Sequence, residues 1–357
     1  MAGSIRHFYS LFPLKHFGPE ICHRKTKSWH CLLQRAKSFQ VFPSESTAEP
    51  DERDMSSSLV ETNAAWALSQ IRAAGSSIVR AAEGPPTVED ACAFRSVPFA
   101  VRGKKTCQFR PQHDRYMNVV PYEDTRVRLE GDGGDYINAC HVTSKPGDLA
   151  RFSYIATQGP LEETVDDFWR MVCQQKVSAI VMLCDLVEDM MPKCARYFPF
   201  DPSAAFETPS YVVRAKSLER PRPRVERRSL EVTETATGAT ATLDHFRYSD
   251  WPDHGIPDQF DSMLEISNRI RSDYYASRVV VHCSAGIGRT GTFCMIDIVL
   301  RRVLNAEVAL ISALHSKFVD LDALLLDLRG SRLGMVQTVE QFKFSRDAII
   351  AGLSVGL

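Results

Sequence analysis

Past residue 86 the chain alternates between two hydrophobic periods. Short runs rich in β-branched and apolar residues predict strands at Ser153–Ala156, Ser178–Leu183, Tyr211–Ala215, Leu230–Thr235, Thr240–Tyr248 and Arg278–His282. Apolar positions three and four apart predict helices over Thr164–Gln175, Phe260–Tyr274, Gly291–Leu304, Leu321–Arg329 and Thr338–Ala351. Several strands follow one another without an intervening helix, which points to a mixed rather than an all-parallel sheet. The expected fold is α/β of the α+β type, a twisted mixed β-sheet flanked by helices. Ahead of it, Ala64, Leu68, Ile71, Gly75, Ile78 and Ala82 recur at steps of four and three, one helix face within Leu59–Glu83. Gly75 weakens that helix and Pro85-Pro86 ends it. No internal repeat is evident.

Residues 1–54 differ in character. Seven Lys/Arg precede Glu45 against one acid, Glu20, and a Ser/Glu/Asp/Pro-rich stretch from Pro43 to Asp54 then leads to Met55. Two readings stay open for this extension, a disordered tail and an organelle-targeting segment. The division expected is an extension over 1–54, basic then acidic, an N-terminal helix over 55–86 and one large domain over 87–357.

Charge and cysteine usage narrow the classes. Lys+Arg 43 against Asp+Glu 44 gives no general attraction for nucleic acid. No apolar run reaches the ~20 residues of a membrane span. Ten cysteines without a CxxC pair suit a reducing compartment, so the cytoplasm is expected, with the nucleus open and an organelle if residues 1–54 are a targeting segment. Cys22-His23 and His30-Cys31 have metal-ligand residue types but no usual zinc spacing, so no metal or other cofactor is inferred.

The densest chemistry lies in Val279-Val-Val-His282-Cys283-Ser-Ala-Gly-Ile-Gly-Arg289-Thr290-Gly291. A β-branched strand ends at His282, a glycine-bearing loop follows, and a helix begins near Arg289. Such a loop can turn its N–H groups inward, and the helix N-terminus adds positive potential, together suiting a tetrahedral dianion. Cys283 opens the loop and Arg289 closes it, an environment that stabilises a thiolate relative to the ordinary thiol pKa of roughly 8.5. A buried core cysteine is the competing reading; Gly286, Gly288, Gly291 and Thr290 in register weigh against it.

This segment resembles the signature motif of the protein tyrosine phosphatase family in its tyrosine-specific, non-receptor form. Further segments match in the family's order. Asp114-Arg115-Tyr116-Met-Asn118-Val-Val-Pro121 resembles the phosphotyrosine-recognition loop, although His113-Asp114 stands where the family usually has Lys-Asn. Asp135–Ala139 and Tyr154–Pro160 resemble core-strand motifs. Glu188, followed by Lys193–Pro199, resembles the loop that braces the cradle arginine. Trp251-Pro-Asp253-His-Gly-Ile-Pro257 resembles the mobile acid loop, and Met335–Gln341 the glutamine loop.

The resemblance implies the phosphotyrosine protein phosphatase fold and hydrolysis of phosphotyrosine in proteins through a cysteinyl phosphate. Cys283 would be the nucleophile, Asp253 the general acid, and Arg289 the clamp. Gln341 with Gln337 would orient water, and Thr290 would support the thiolate. Ser284, Ala285, Gly286, Ile287, Gly288, Arg289, Tyr116 and Asn118 would bind substrate, with His282, Glu188 and Trp251 in support. The partners implied are phosphotyrosine-containing proteins; no oligomeric state follows. Two alternatives remain, a phosphotyrosine-binding pseudophosphatase and a phosphatase that also accepts phosphoserine or phosphothreonine. Two stretches fall outside the pattern. Leu304–Phe318 is longer and more apolar than the family's short polar loop, and Arg214–Arg228, with seven Lys/Arg and two Glu, reads as a solvated strand edge.

Overall fold

The computed structural model describes residues 85–354, apart from 147, 149, 250, 253–254 and 305–319. The extension over 1–54, the helix expected within Leu59–Glu83, the acid Asp253 and nearly all of the apolar stretch Leu304–Phe318 therefore lie outside the described residues. Helix α1 (Val88–Ser96) opens on a capping box. The Thr87 hydroxyl accepts from the Asp90 N–H, and the Asp90 carboxylate takes the Thr87 N–H. It carries no marked apolar stripe, so hydrophobic periodicity passes over it.

Nine strands form one sheet: β1 (Arg126–Arg128), β2 (Tyr136–Thr143), β3 (Ser153–Thr157), β4 (Val177–Met182), β7 (Ala205–Glu207), β8 (Tyr211–Arg222), β9 (Val225–Glu234), β10 (Thr240–Tyr248) and β11 (Arg278–His282). Their spatial order is β1-β2-β3-β11-β4-β10-β9-β8-β7. The central four, β3, β11, β4 and β10, run parallel, and the outer pairs are antiparallel. Strands β5 (Val187–Glu188) and β6 (Met191–Pro192) make a separate hairpin. The parallel centre explains the unbroken Val279-Val-Val run, since a strand covered on both faces has no polar side. The mixed twisted sheet matches the expected fold class.

The β8–β9 hairpin is longer than its apolar residues suggest, because its outer arms need only backbone pairing. It also corrects the reading of Arg214–Arg228 as solvated throughout. The outer end of this run is exposed, but Arg228 is buried, with its guanidinium 5.1 Å from the centre of the Phe198 ring and Nη2 donating to Glu226 at 2.8 Å.

Helices α2 (Val165–Gln174), α3 (Asp261–Asp273), α4 (Gly288–Leu304), α5 (Leu321–Ser331) and α6 (Val339–Ser354) cover the sheet. Helix α4 is buried on every side from Gly291 to Leu300, which makes it the core helix behind the site. Its one buried acid, Asp297, accepts from Tyr154 of β3, from Ser267 of α3 at 2.6 Å, and from Arg301 at 2.7 Å. This carboxylate ties three elements together. Asp297→Ala would leave the buried Arg301 guanidinium without its ion-pair partner. Urea unfolding is expected to show a loss of about 3–5 kcal/mol, and a loss below about 1 kcal/mol would mean the pair is not a structural tie.

Candidate active site

The loop between β11 and α4 is shaped by where its carbonyls go. Cys283 O accepts from His282 Nδ1 at 3.1 Å, and Ser284 O accepts from the Gly159 N–H at 2.9 Å. Ala285 O and Gly286 O accept from Arg332 Nη2 at 2.9 Å and Nε at 2.8 Å, and Ile287 O accepts from the Val336 N–H at 3.1 Å. Five successive carbonyls are thus satisfied from behind. The described peptide bonds are all trans, so each following N–H, from Ser284 to Gly288, is directed the opposite way. The result is a ring of donors at the N-terminus of α4, suited to an oxyanion. Gly286 is required in this bend: its φ is +72°, and a Cβ there would stand 2.1 Å from Thr157 O.

Charged and hydroxylic side chains complete the ring. Arg289 is buried and doubly bonded to Glu188, with Nη1–Oε1 and Nη2–Oε2 both 2.6 Å, and Nη1 also reaches Leu183 O at 3.1 Å. That forked pairing fixes the guanidinium plane. Thr290 Oγ1 lies 3.4 Å from Cys283 Sγ, within donating range of the sulfur. Ser284 Oγ gives its single proton to Lys193 O at 3.0 Å, so toward Tyr116 it must accept, and the Tyr116 hydroxyl donates to it at 2.9 Å. Asn118 is exposed at the following turn.

Asp114, at the departure from the family pattern, is buried. It accepts from the Arg110 N–H at 2.7 Å, the Tyr136 hydroxyl at 2.6 Å and Asn138 Nδ2 at 2.8 Å. The aspartate thereby anchors the segment that carries Tyr116.

Behind the cradle runs a buried chain whose proton order can be derived. A carbonyl only accepts, so His282 carries its proton on Nδ1. Burial pushes the His282 pKa down from 6.5 to about 4, which leaves the ring neutral and Nε2 an acceptor. The Tyr197 hydroxyl therefore donates to His282 Nε2 at 2.7 Å and accepts from His245 Nε2 at 2.8 Å. His245 Nδ1 is then the deprotonated nitrogen, buried without a partner. Burial first, then the nearby Arg228 and Arg247 charges, hold the His245 pKa well below its ordinary value.

The opposite wall comes from the segment leading into α6. Gln341 is buried, its Oε1 accepts the Gln337 N–H at 3.0 Å, and its Nε2 reaches Gly255 O at 3.5 Å. Both glutamine side chains border Gly288, where a Cβ would come within 3.0 Å of each Oε1. Trp251 is buried and its Nε1 donates to Gly255 O at 3.0 Å, bracing the far side of the loop that contains Asp253. Val336 has φ +57°, a strained conformation for a β-branched residue, and Arg329 holds it by donating to Met335 O, Val336 O and Val97 O.

Arg332, Arg329, Tyr197 and His245 were not singled out from sequence. Two arginines three apart beside the apolar Leu333–Val336 stretch were the available signal for the first pair. Among the described residues no cluster of three or more His, Cys, Asp or Glu could hold a metal ion. None of the described helices is long and apolar enough to cross a membrane.

A family profile described as Protein-tyrosine phosphatase matches residues 110–351. The chain is 38% identical over 244 residues to Tyrosine-protein phosphatase non-receptor type 2 of Mus musculus, covering 67% of this chain and 57% of that protein. It is 34% identical over 239 residues to Tyrosine-protein phosphatase non-receptor type 20 of Homo sapiens, covering 67% and 54%. It is 36% identical over 245 residues to Receptor-type tyrosine-protein phosphatase eta of Homo sapiens, covering 66% and 17%. The chain thus spans a little over half the length of the first of these relatives, 57%.

The neutral His282 gives a pH signature. As pH falls, the unfolded chain takes up this proton near 6.5 while the folded one resists until about 4. Its contribution to stability is therefore full above about pH 6.5 and is lost between there and about 4. From pH 7 to pH 5 the loss is about 2 kcal/mol by linkage. His282→Asn should make urea unfolding measurably less pH-dependent across that interval; an unchanged slope would mean the histidine titrates normally when folded.

Proposed function

The chain belongs to the protein-tyrosine phosphatase family, and on that premise we propose that it hydrolyses phosphotyrosine in proteins through a cysteinyl-phosphate intermediate. The observation that carries this reading is the donor ring itself: five outward carbonyls around one cysteine, closed by an arginine locked on Glu188.

In the first step the phosphate dianion of the substrate sits in the ring of N–H groups from Ser284 through Arg289, and the Arg289 guanidinium clamps its oxygens. The Cys283 thiolate attacks phosphorus in line. The S–P bond forms as the bond to the tyrosyl oxygen breaks, and Asp253 gives that oxygen its proton. The ring donors and Arg289 bear most of the charge of the transferring phosphoryl group, as positioning and electrostatics do in this chemistry generally.

In the second step Gln341 and Gln337 orient a water. Asp253, now a carboxylate, takes its proton as the new O–P bond forms and the S–P bond breaks. Thr290 donates to the departing thiolate, which restores the starting state and releases inorganic phosphate. Tyr116 forms the wall along the substrate ring. A phosphate carried on a serine or threonine would leave that wall without a partner, so the pocket favours phosphotyrosine.

Cys283→Ser is expected to abolish turnover, since a serine hydroxyl does not ionise in this cradle. Asp253→Ala is expected to lower kcat on phosphotyrosyl peptides by ~10²–10⁴-fold, to flatten the alkaline limb of the pH profile, and to retain substrate on a column until vanadate displaces it. Unchanged kcat in Asp253→Ala would assign the leaving-group proton to another residue. Arg332→Lys provides a separate check on the cradle. One ammonium cannot reach both Ala285 O and Gly286 O in the guanidinium's geometry, so vanadate affinity and kcat should fall together by about tenfold or more. A normal vanadate affinity would show that the ring holds its shape without this arginine.

A further inference from the structure

Four of the nine large apolar side chains exposed among the described residues lie on the two segments whose Glu188 and Tyr116 bond to the cradle: Met190 at 92%, Met117 at 75%, Met191 at 61% and Val187 at 58%. Three of them belong to the β5–β6 hairpin that supplies Glu188. Glu188 and Met191 are directly opposed in its ladder, so their side chains leave on the same face. That is the face from which Glu188 reaches Arg289 at 2.6 Å. Met191 thus lies on the hairpin face that carries the brace of Arg289.

The turn between them, Asp189-Met190, has φ of +49° and +63° at its two residues. Both are left-handed, a geometry usually given to Asn-Gly. A methionine there is unfavourable for the backbone and gains no burial. Such strain at a site edge is more readily explained by what the side chain meets on binding than by folding.

Across the mouth, Arg115 joins the hairpin to the recognition loop, donating to Pro192 O at 3.3 Å, Gly159 O at 3.1 Å and Pro160 O at 2.7 Å. The next residue, Tyr116, is bonded to Ser284, and the one after it is the exposed Met117. The rim is therefore apolar on two connected sides, with the exposed acid Asp189 between Glu188 and Met190.

We infer that this methionine rim is the docking edge for apolar side chains flanking the phosphotyrosine of the substrate, and that acidic flanks are disfavoured. The inference rests on the phosphatase reading above. The rim adjoins the phosphate site through Glu188 and Tyr116, so residues flanking a bound phosphotyrosine on these two sides meet it. Methionine's unbranched, polarisable side chain suits contact with varied aliphatic partners, while Asp189 opposes carboxylates.

The test uses the full chain and two phosphotyrosyl peptides of equal length, one with leucine and one with glutamate at the flanking positions, alongside phenyl phosphate, which has no flanks. kcat/KM is expected to favour the leucine peptide by about tenfold, the scale of one or two half-buried aliphatic contacts. Met190→Glu combined with Met191→Glu should bring that ratio to about one or invert it. Met190→Gly relieves the left-handed turn, so it should fold at least as stably while reducing the preference. Equal kcat/KM for the two peptides in the unaltered chain, or a ratio unmoved by the double substitution, overturns the inference. So does a dimer in sedimentation that the double substitution dissolves while no flank preference is seen, which would assign the edge to a second copy. Peptide binding to Cys283→Ser protein reads the preference without turnover. A leucine preference in binding, with no phenyl phosphate hydrolysis by the unaltered chain, would uphold the rim and remove the phosphatase reading alone.

Discussion

A loop can aim its N–H groups at one point only if the carbonyls of the same peptides find partners on the far side. Here one buried guanidinium supplies two of the five partners. Arg332 takes the carbonyls of Ala285 and Gly286, and its Nη2 also reaches Asn138 Oδ1 at 2.7 Å. Asn138 in turn donates to Asp114 and to Val119 O at 2.8 Å. The ring, strand β2 and the Tyr116 segment are therefore one polar network. A buried carbonyl without a donor costs more than a typical hydrogen bond gains, so each member depends on the others being in place.

The second constraint is steric and lies on the opposite wall. Gly291, in the first turn of α4, is packed so closely against the chain at Val336 that a Cβ would fall 2.3 Å from its nitrogen. The Val336 N–H is needed for Ile287 O, and the left-handed backbone at Val336 turns the chain toward Gln337 and Gln341. Arg329, whose pKa burial lowers to about 10, holds this turn through three carbonyls. Local strain is thus stabilised by a charge kept in the protein interior by backbone oxygens.

The neutral Tyr197–His282–His245 chain works by a different balance. Desolvation keeps both imidazoles uncharged, and only a neutral His282 can donate from Nδ1 while accepting at Nε2. The charges nearest the cradle are therefore those of Arg289 and of Arg332 behind it, together with the backbone dipoles, and the imidazoles add none. The β5–β6 hairpin joins this rigid interior to the surface. Its Glu188 fixes Arg289, while Val187, Met190 and Met191 remain exposed.

The central strands and the helix ends were legible because they depend on short-range pattern. Thr240–Tyr248 and Arg278–His282 have the bounds that their β-branched content predicts, and α2 through α6 fall within a few residues of their apolar spacing. The cradle was also legible, since Cys283 through Gly291 are contiguous and glycine positions record where backbone must turn or approach closely. The β8–β9 arms were foreshortened because exposed strands pair through backbone alone, and α1 was passed over because a cap rather than a stripe defines it. Arg228 read as solvated because a sequence does not tell which charges a sheet covers. What the sequence determined by itself was the fold class and the contiguous segment that forms the donor ring. Only the tertiary structure decided how that loop is held. Arg332 and Gly286 are 46 residues apart, Arg289 and Glu188 101, and Tyr116 and Ser284 168. Hydrogen bonds over such separations leave no periodicity in the chain and exist only once the sheet has brought their partners together.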